Sequence, residues 1–135
     1  MSRATPEGKV KAKITSILDG VGAVYCMPIG SAYGKAGVSD YIILYYGEYL
    51  EVEAKATARS KRTALQVRRE DDVLAAGGSY LTIHKDNIPQ LQEWIVEHSR
   101  GEFRTVAEVA AAVALHEQEK AKKKRNRKII NYEGE

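Results

Sequence analysis

The sequence has little cysteine, tryptophan or proline, and it lacks a long apolar run. It contains one cysteine, one tryptophan and three prolines in 135 residues. Cys26 cannot form an internal disulfide and has no second thiolate with which to bind zinc. No stretch approaches the roughly 20 apolar residues of a membrane span, and the polar start at Met1 lacks the apolar core of a signal peptide. These absences predict a cytoplasmic protein with no membrane partner.

The charge balance is close to neutral, but the basic residues are clustered. Lys and Arg number 21 against 18 Asp and Glu, which gives a net charge of +3. The charged content of 29% and hydrophobic content of 44% are typical of one globular domain. Basic residues concentrate in residues 59–69 and again in residues 120–128. Such clusters suit a polyanionic partner, although charge runs are more often a solvated surface.

The glycine-rich segment, residues 30–37, does not have the pattern of a nucleotide-binding loop. Its Lys35 is followed by alanine rather than by serine or threonine. The segment after it has a strand pattern, whereas a phosphate-binding P-loop opens a helix. We therefore expect no nucleotide cofactor.

Hydrophobic spacing and capping residues predict a helix, three strands, a helix, a strand and two helices. This order predicts an α/β fold, with a central mixed sheet of about four strands flanked by helices on both faces. We expect this domain in residues 1–99, followed by a C-terminal helix and a basic tail in residues 100–135. The predicted strands are residues 23–29, 41–46, 49–56 and 79–84, with a hairpin turn at Gly47-Glu48, and the predicted helices begin at Thr5, Thr63, Asp86 and Thr105.

The candidate catalytic residues are expected on and beside the third predicted strand. Alternation places Glu53 and Lys55 on one face, about 6–7 Å apart at a rise of roughly 3.3 Å per residue. Asp40 begins the preceding strand, so the hairpin brings it beside Glu53. Two carboxylates near a lysine suit Mg²⁺ or Mn²⁺, which polarise a phosphoryl oxygen and acidify a bound water. The pattern predicts phosphodiester hydrolysis, although a solvated strand face with a Glu–Lys pair gives the same spacing.

Several short motifs surround these residues in a fixed order. They are Gly34-Lys35-Ala36-Gly37-Val38-Ser39-Asp40, Leu50-Glu51-Val52-Glu53-Ala54-Lys55, Thr63-Ala64-Leu65-Gln66 and Ala76-Gly77-Gly78. With Asp40 followed by Glu53-Ala54-Lys55, the chain resembles the PD-(D/E)XK nuclease superfamily and, within it, the small stand-alone VRR-NUC proteins of phages and bacteria. The resemblance covers about residues 5–95, and the chain departs from it at Ser39, where many members have proline.

The resemblance implies a restriction-endonuclease-like domain that cleaves DNA with a divalent metal. It also implies similarity to Holliday junction resolvases, which act as homodimers on branched DNA. Under this interpretation Asp40, Glu53 and Lys55 are catalytic, and Asp40 and Glu53 bind the metal.

Two further residues are candidates both from their positions and from the resemblance. Glu7 is in line with the apolar stripe of the first helix and is a predicted third metal ligand, although an acidic residue there also favours the helix dipole. Gln66 follows Thr63 by three residues, so its side chain can complete a capping box. The family has a glutamine here that points at the active site. We expect one side chain to fill only one of these roles, and we favour the site.

The predicted phosphate contacts are Lys35, Arg59, Lys61, Arg62 and Arg69, which would position DNA without reading its sequence. The leading hypothesis is a homodimeric, metal-dependent nuclease acting on branched DNA, since a two-fold dimer supplies two matched cuts. The last helix, from Val106 to Val113, or the aromatic strands would form the dimer face. The alternatives are a nuclease for linear, flapped or nicked DNA and a non-catalytic DNA-binding module. The basic tail either extends the last helix onto DNA or is disordered without it.

Overall fold

The computed structural model describes residues 4–29 and 37–133. The elements follow the predicted order of helices and strands, with boundaries that differ by a few residues. They are α1 (Pro6–Val21), β1 (Val24–Cys26), β2 (Tyr41–Tyr45), β3 (Glu48–Ala54), α2 (Ala64–Ala75), β4 (Ser79–Ile83), α3 (Ile88–His98) and α4 (Val106–Glu133). Strand β1 is shorter than the seven residues expected for it, because its pairing with β2 ends at Cys26.

The four strands form one mixed sheet in the order β1-β2-β3-β4. Strands β1, β2 and β3 pair antiparallel, and β4 joins β3 in parallel after the crossover through α2. A parallel neighbour requires such a crossover connection, which places α2 against the sheet. The predicted α/β class and mixed four-stranded sheet are confirmed.

A two-residue turn joins β2 to β3. Tyr45 pairs with Glu48, so the turn consists of Tyr46 and Gly47, one residue earlier than predicted. Both residues have positive φ, 48° for Tyr46 and 79° for Gly47, as a type I′ turn requires. The turn fixes the register of the hairpin and thereby the residues that lie opposite each other at its far end.

Three helices cover one face of the sheet. Alternate strand residues point into this layer and pack against the apolar stripes of α1 and α3 and the start of α4. Burial of each such side chain contributes about 1.5–3 kcal/mol before entropy is counted. The central residues of this core are Ile14, Leu18, Tyr41, Ile43, Leu50, Val52, Ile83, Leu91, Ile95 and Val109.

Helix α2 lies on the other face and covers only β3 and β4. Its inward side presents Gln66, Arg69 and Val73, which are three and four residues apart. Beneath it, Glu51 is 0% exposed and Glu53 is 5% exposed. The charged face of β3 is therefore covered, in contrast to the solvated strand face that the same spacing also allowed.

Helix α4 runs antiparallel to α1 and then continues past it. A Cβ at Gly20 would lie 2.7 Å from the Cα of Val113, so the two helices touch backbone to backbone there. Further along, the Ser16 hydroxyl donates to Glu117 at 3.0 Å. The basic segment predicted as a tail belongs to this helix, which ends at Glu133. No helix within residues 4–29 and 37–133 combines the length and apolar character needed to cross a membrane.

Candidate active site

Asp40 and Glu53 meet at the open end of the hairpin. Tyr41 pairs with Val52, and one further step of this register places Asp40 opposite Glu53. Asp40 is held there because its Oδ2 accepts a 2.8 Å hydrogen bond from the backbone N–H of Ala54. The tight turn at one end of the hairpin therefore brings two carboxylates together at the other.

Glu53 is a buried carboxylate with an unsatisfied oxygen. Its Oε2 is inaccessible to solvent and has no hydrogen-bond partner among the described residues. Burial and the neighbouring Asp40 carboxylate raise the pKa of Glu53 from 4.5 to about 8, and Lys55 only partly offsets them. Desolvation and a nearby carboxylate both oppose the ionisation of Glu53, so a cation at this position would stabilise its charged form.

Lys55 is fixed by Gln66. The Lys55 ammonium donates to Gln66 Oε1 at 2.9 Å, and the same oxygen accepts the backbone N–H of Thr63 at 2.9 Å. Thr63 Oγ1 in turn accepts the N–H of Gln66, which completes the capping box. The expectation that one side chain fills only one role is wrong, because a carbonyl oxygen has two lone pairs and here uses both. The start of α2 is thus coupled to the position of Lys55.

Glu7 reaches the site through a lysine that was not predicted from the sequence. Lys11, one turn further along α1, lies 3.6 Å from Glu7 Oε2 and 3.4 Å from Asp40 Oδ1. Burial opposes the charge of Lys11, but Asp40 and Glu7 outweigh it and raise its pKa. The Glu7 side chain is 46% exposed, so Glu7 lies at the rim of the site rather than facing inward as expected. Four-residue spacing from Glu7 was the signal available for Lys11.

The donor set fits a hard divalent cation. Asp40 and Glu53 provide carboxylate oxygens, one of them buried without a partner, and Mg²⁺ or Mn²⁺ needs few protein ligands because it keeps several waters. Within the described part of the chain, no three His, Cys, Asp or Glu side chains converge as a complete metal cluster. Glu7 is paired with Lys11 at the rim of the site.

A second buried network lies behind the site. Glu51 accepts two hydrogen bonds from Arg69, at 2.9 and 2.6 Å, one from Ser39 at 2.8 Å and one from Tyr49. Burial opposes ionisation of Glu51, but these donors outweigh it and lower its pKa. Glu51 and, to a smaller extent, Tyr49 raise the pKa of Arg69. Ser39, the residue at which the chain departs from the family pattern, thus anchors the loop before Asp40 to β3.

The predicted phosphate contacts fall into three groups. The Arg69 guanidinium is engaged by Glu51, and Arg62 donates to Glu70 at 3.0 Å and lies over the ring of Tyr80. Arg59 and Lys61 are exposed on the loop between β3 and α2, close to Lys55 in sequence. Lys35 lies outside the described residues. All five stay predictions as phosphate contacts, and Arg59 and Lys61 have the accessibility that this role needs.

The chain forms an α/β domain with acidic and basic groups at one end of a central hairpin. No family model and no curated protein matches the chain. A solved structure described as "VRR_NUC domain" is similar to it, with a TM-score of 0.58 and 23% identity over 70% of this chain and 98% of that one. The chain therefore has the fold of a VRR_NUC domain, and the resemblance found in the sequence is confirmed at the level of the fold.

Proposed function

We propose that this protein is a divalent-metal-dependent nuclease that hydrolyses phosphodiester bonds in DNA. The observation that carries the proposal is the buried Oε2 of Glu53, which lies beside Asp40 and has no hydrogen-bond partner among the described residues. Lys55 directly follows the same strand, two residues after Glu53. A buried carboxylate beside a second carboxylate is costly unless a cation neutralises it. The VRR_NUC fold supports the same conclusion.

Each side chain has a distinct task in this proposal. Asp40 and Glu53 hold Mg²⁺ or Mn²⁺, and Glu7 provides a further carboxylate at the rim. When bound, the metal polarises a phosphoryl oxygen and lowers the pKa of a water. The Lys55 ammonium donates a hydrogen bond to the attacking water or to a phosphate oxygen and balances developing negative charge. Gln66 holds Lys55 in place, so it is a positioning residue.

Lys11 neutralises the carboxylates until the metal binds. Its ammonium sits between Glu7 and Asp40 and supplies the positive charge that those groups need. With a divalent ion held by Asp40 and Glu53, this charge would be redundant, and the Lys11 ammonium would be available for a substrate phosphate.

Branched DNA and a homodimer form the finer part of the proposal. Junction resolution needs two matched cuts, which a two-fold dimer provides. The sheet offers an apolar surface for it, because α2 leaves the β1–β2 half uncovered and Val24 and Leu44, which pair across these strands, are 69% and 50% exposed. The helical segment from Val106 to Val113 is less suited, since Val109 is fully buried and Val113 packs on α1 within one chain.

The test is cleavage of labelled four-way junction, flap and plain duplex DNA, with Mg²⁺ or Mn²⁺ and with EDTA. We expect metal-dependent cutting by the wild type and loss of cutting by Glu53→Gln, which keeps the shape of the side chain. Glu48→Gln is the matched control, because Glu48 is an exposed glutamate at the other end of β3. Paired symmetric cuts in the junction support the resolvase hypothesis.

Two other outcomes assign the protein differently. Metal-dependent cutting of flaps or linear DNA without junction resolution would support the proposed active site and contradict the proposed branched substrate. DNA binding that needs no metal and yields no product contradicts the nuclease and favours a non-catalytic binding module.

A further inference from the structure

The C-terminal half of α4 carries a concentrated positive charge. Residues 120–128, here called the basic arm, contain seven Lys or Arg and no Asp or Glu. Every residue of the arm is exposed, and none of its cationic groups has an ion-pair partner among the described residues. A helix that is polar on all sides and packs on nothing gains no stability from the core.

The spacing of like charges within the basic arm destabilises the helix that carries them. Lys120, Lys124 and Lys128 follow each other at four-residue spacing, and Lys123 and Arg127 repeat it. Like charges at this spacing destabilise a helix by a few tenths of a kcal/mol per pair. A polyanion laid along the arm removes this repulsion, so the charge pattern favours a bound polyanion over a role in the fold.

The basic arm begins beside the active site. Helix α4 passes antiparallel along α1, from the contact of Val113 with Gly20 to a groove between the two helices. The groove is lined by Lys11, Lys13 and Lys120 and also by the acidic residues Asp19 and Glu117. This groove has a volume of about 550 Å³. Lys11 belongs both to the groove and to the site, since it also contacts Asp40. The arm then extends by about 12 Å beyond Lys120, at 1.5 Å per residue.

We infer that the basic arm binds the phosphate backbone of DNA next to the active site and so holds the substrate along the groove between α1 and α4. This inference rests on the proposed function for the identity of the polyanion. Exposed Lys13, which also lines the groove, continues the positive track from the arm towards Lys11. Lysine ammonium groups bind phosphates without reading bases, so the arm supplies affinity without sequence preference.

The composition of the arm selects nucleic acid over a membrane surface. A helix that lies in a lipid interface needs an apolar face opposite its charged face. Within residues 117–128 the only apolar side chain is Ala121. The arm therefore has the charge for a polyanion but no surface to insert among lipid chains.

The test uses the full-length protein and labelled duplex DNA, with EDTA present so that binding is measured without cleavage. Binding is followed by fluorescence anisotropy over a range of salt concentrations. In one variant Lys122, Lys123, Lys124 and Lys128 are replaced by Gln, and in the matched control the same four are replaced by Arg. Circular dichroism of each variant checks that the helix content is unchanged.

We expect the Gln variant to bind about tenfold more weakly or worse, and the slope of its salt dependence to fall by about 0.9 for each phosphate that the arm no longer neutralises. The Arg variant should keep both the affinity and the salt dependence. Equal binding by wild type and Gln variant overturns the inference, as does arm-dependent binding to anionic phosphatidylserine vesicles with none to DNA. Cleavage by the wild type is scored separately, so a nuclease that does not use its arm is distinguished from a DNA-binding protein that does not cleave.

Discussion

Asp40 lies opposite Glu53 at the open end of the β2–β3 hairpin, one step beyond the Tyr41–Val52 pair. This juxtaposition forces two carboxylates together where one of them, Glu53, is almost fully buried. The hairpin turn at Tyr46 and Gly47 fixes the register, so the proximity is built into the strand pairing.

Stability in the absence of metal should fall as the pH rises between about 4.5 and 8. Burial and Asp40 raise the pKa of Glu53 from 4.5 to about 8, so within this window the folded protein binds a proton that the unfolded chain has released. A state that binds more protons becomes less stable as the pH increases. Urea unfolding in EDTA across this range measures the effect.

Glu53→Gln removes the group that titrates, so this part of the pH dependence should disappear and the variant should exceed the wild type in stability at alkaline pH. Glu48→Gln, with its exposed side chain, should leave the profile unchanged. A wild-type profile that rises through this pH window contradicts the proposed burial of a protonated Glu53.

Mn²⁺ or Mg²⁺ should stabilise the folded protein and should bind more tightly as the pH rises. A free metal concentration of about 100 times the dissociation constant adds about 2.7 kcal/mol to the free energy of unfolding. Because the metal must displace the proton of Glu53, its affinity should increase by up to about tenfold per pH unit below pH 8. Thermal unfolding with and without metal measures this, and Asp40→Asn should abolish the shift.

The two roles of Gln66 can be separated by mutation. Gln66→Leu removes both the contact with Lys55 and half of the capping box, so it should lower stability by about 1 kcal/mol and also lower the cleavage rate. Thr63→Ala removes only the cap hydroxyl and should cost a similar amount of stability while cleavage is kept. Equal cleavage by both variants would show that the hydrogen bond between Gln66 and Lys55 has no part in the reaction.

Arg69→Met should destabilise the protein by about 3–5 kcal/mol, because it leaves the fully buried Glu51 without its cationic partner. The neighbouring Arg68 is exposed, so Arg68→Met should change the free energy of unfolding by less than about 0.5 kcal/mol. Urea unfolding compares the two. A small effect of Arg69→Met would mean that Glu51 is neutral in the folded state, contrary to its lowered pKa.

Gly20→Ala should destabilise the protein, although alanine in a helix is ordinarily favoured over glycine by about 1 kcal/mol. The added Cβ would lie 2.7 Å from the Cα of Val113, which forces α1 and α4 apart. Val113→Ala in the same chain should not restore stability, since the nearest clash is with the backbone. Differential scanning calorimetry of both variants tests this, and a rise in melting temperature for Gly20→Ala would contradict the close contact.

The order of the strands and the proximity of Asp40 and Glu53 could be predicted from the sequence. Alternation puts Glu53 and Lys55 on the same face, because strand geometry repeats every two residues, and a hairpin brings Asp40 close to both of them. The exact pairing of Asp40 with Glu53 depends on the turn that the structure has. The solved VRR_NUC domain structure agrees with the resulting fold. The turn itself was predicted one residue late, since the positive φ of Tyr46 has no signal as strong as a glycine.

The sequence by itself determined what local periodicity controls: the order of the elements and the spacing of Glu53 and Lys55. The tertiary structure decided which distant groups meet. Lys11 forms an ion pair with Asp40, and Arg69 forms one with Glu51. The Gln66 side chain accepts hydrogen bonds from both Thr63 and Lys55. These contacts depend on how α1 and α2 pack on the sheet, and packing is set by the shapes of whole layers rather than by any residue's neighbours in the chain.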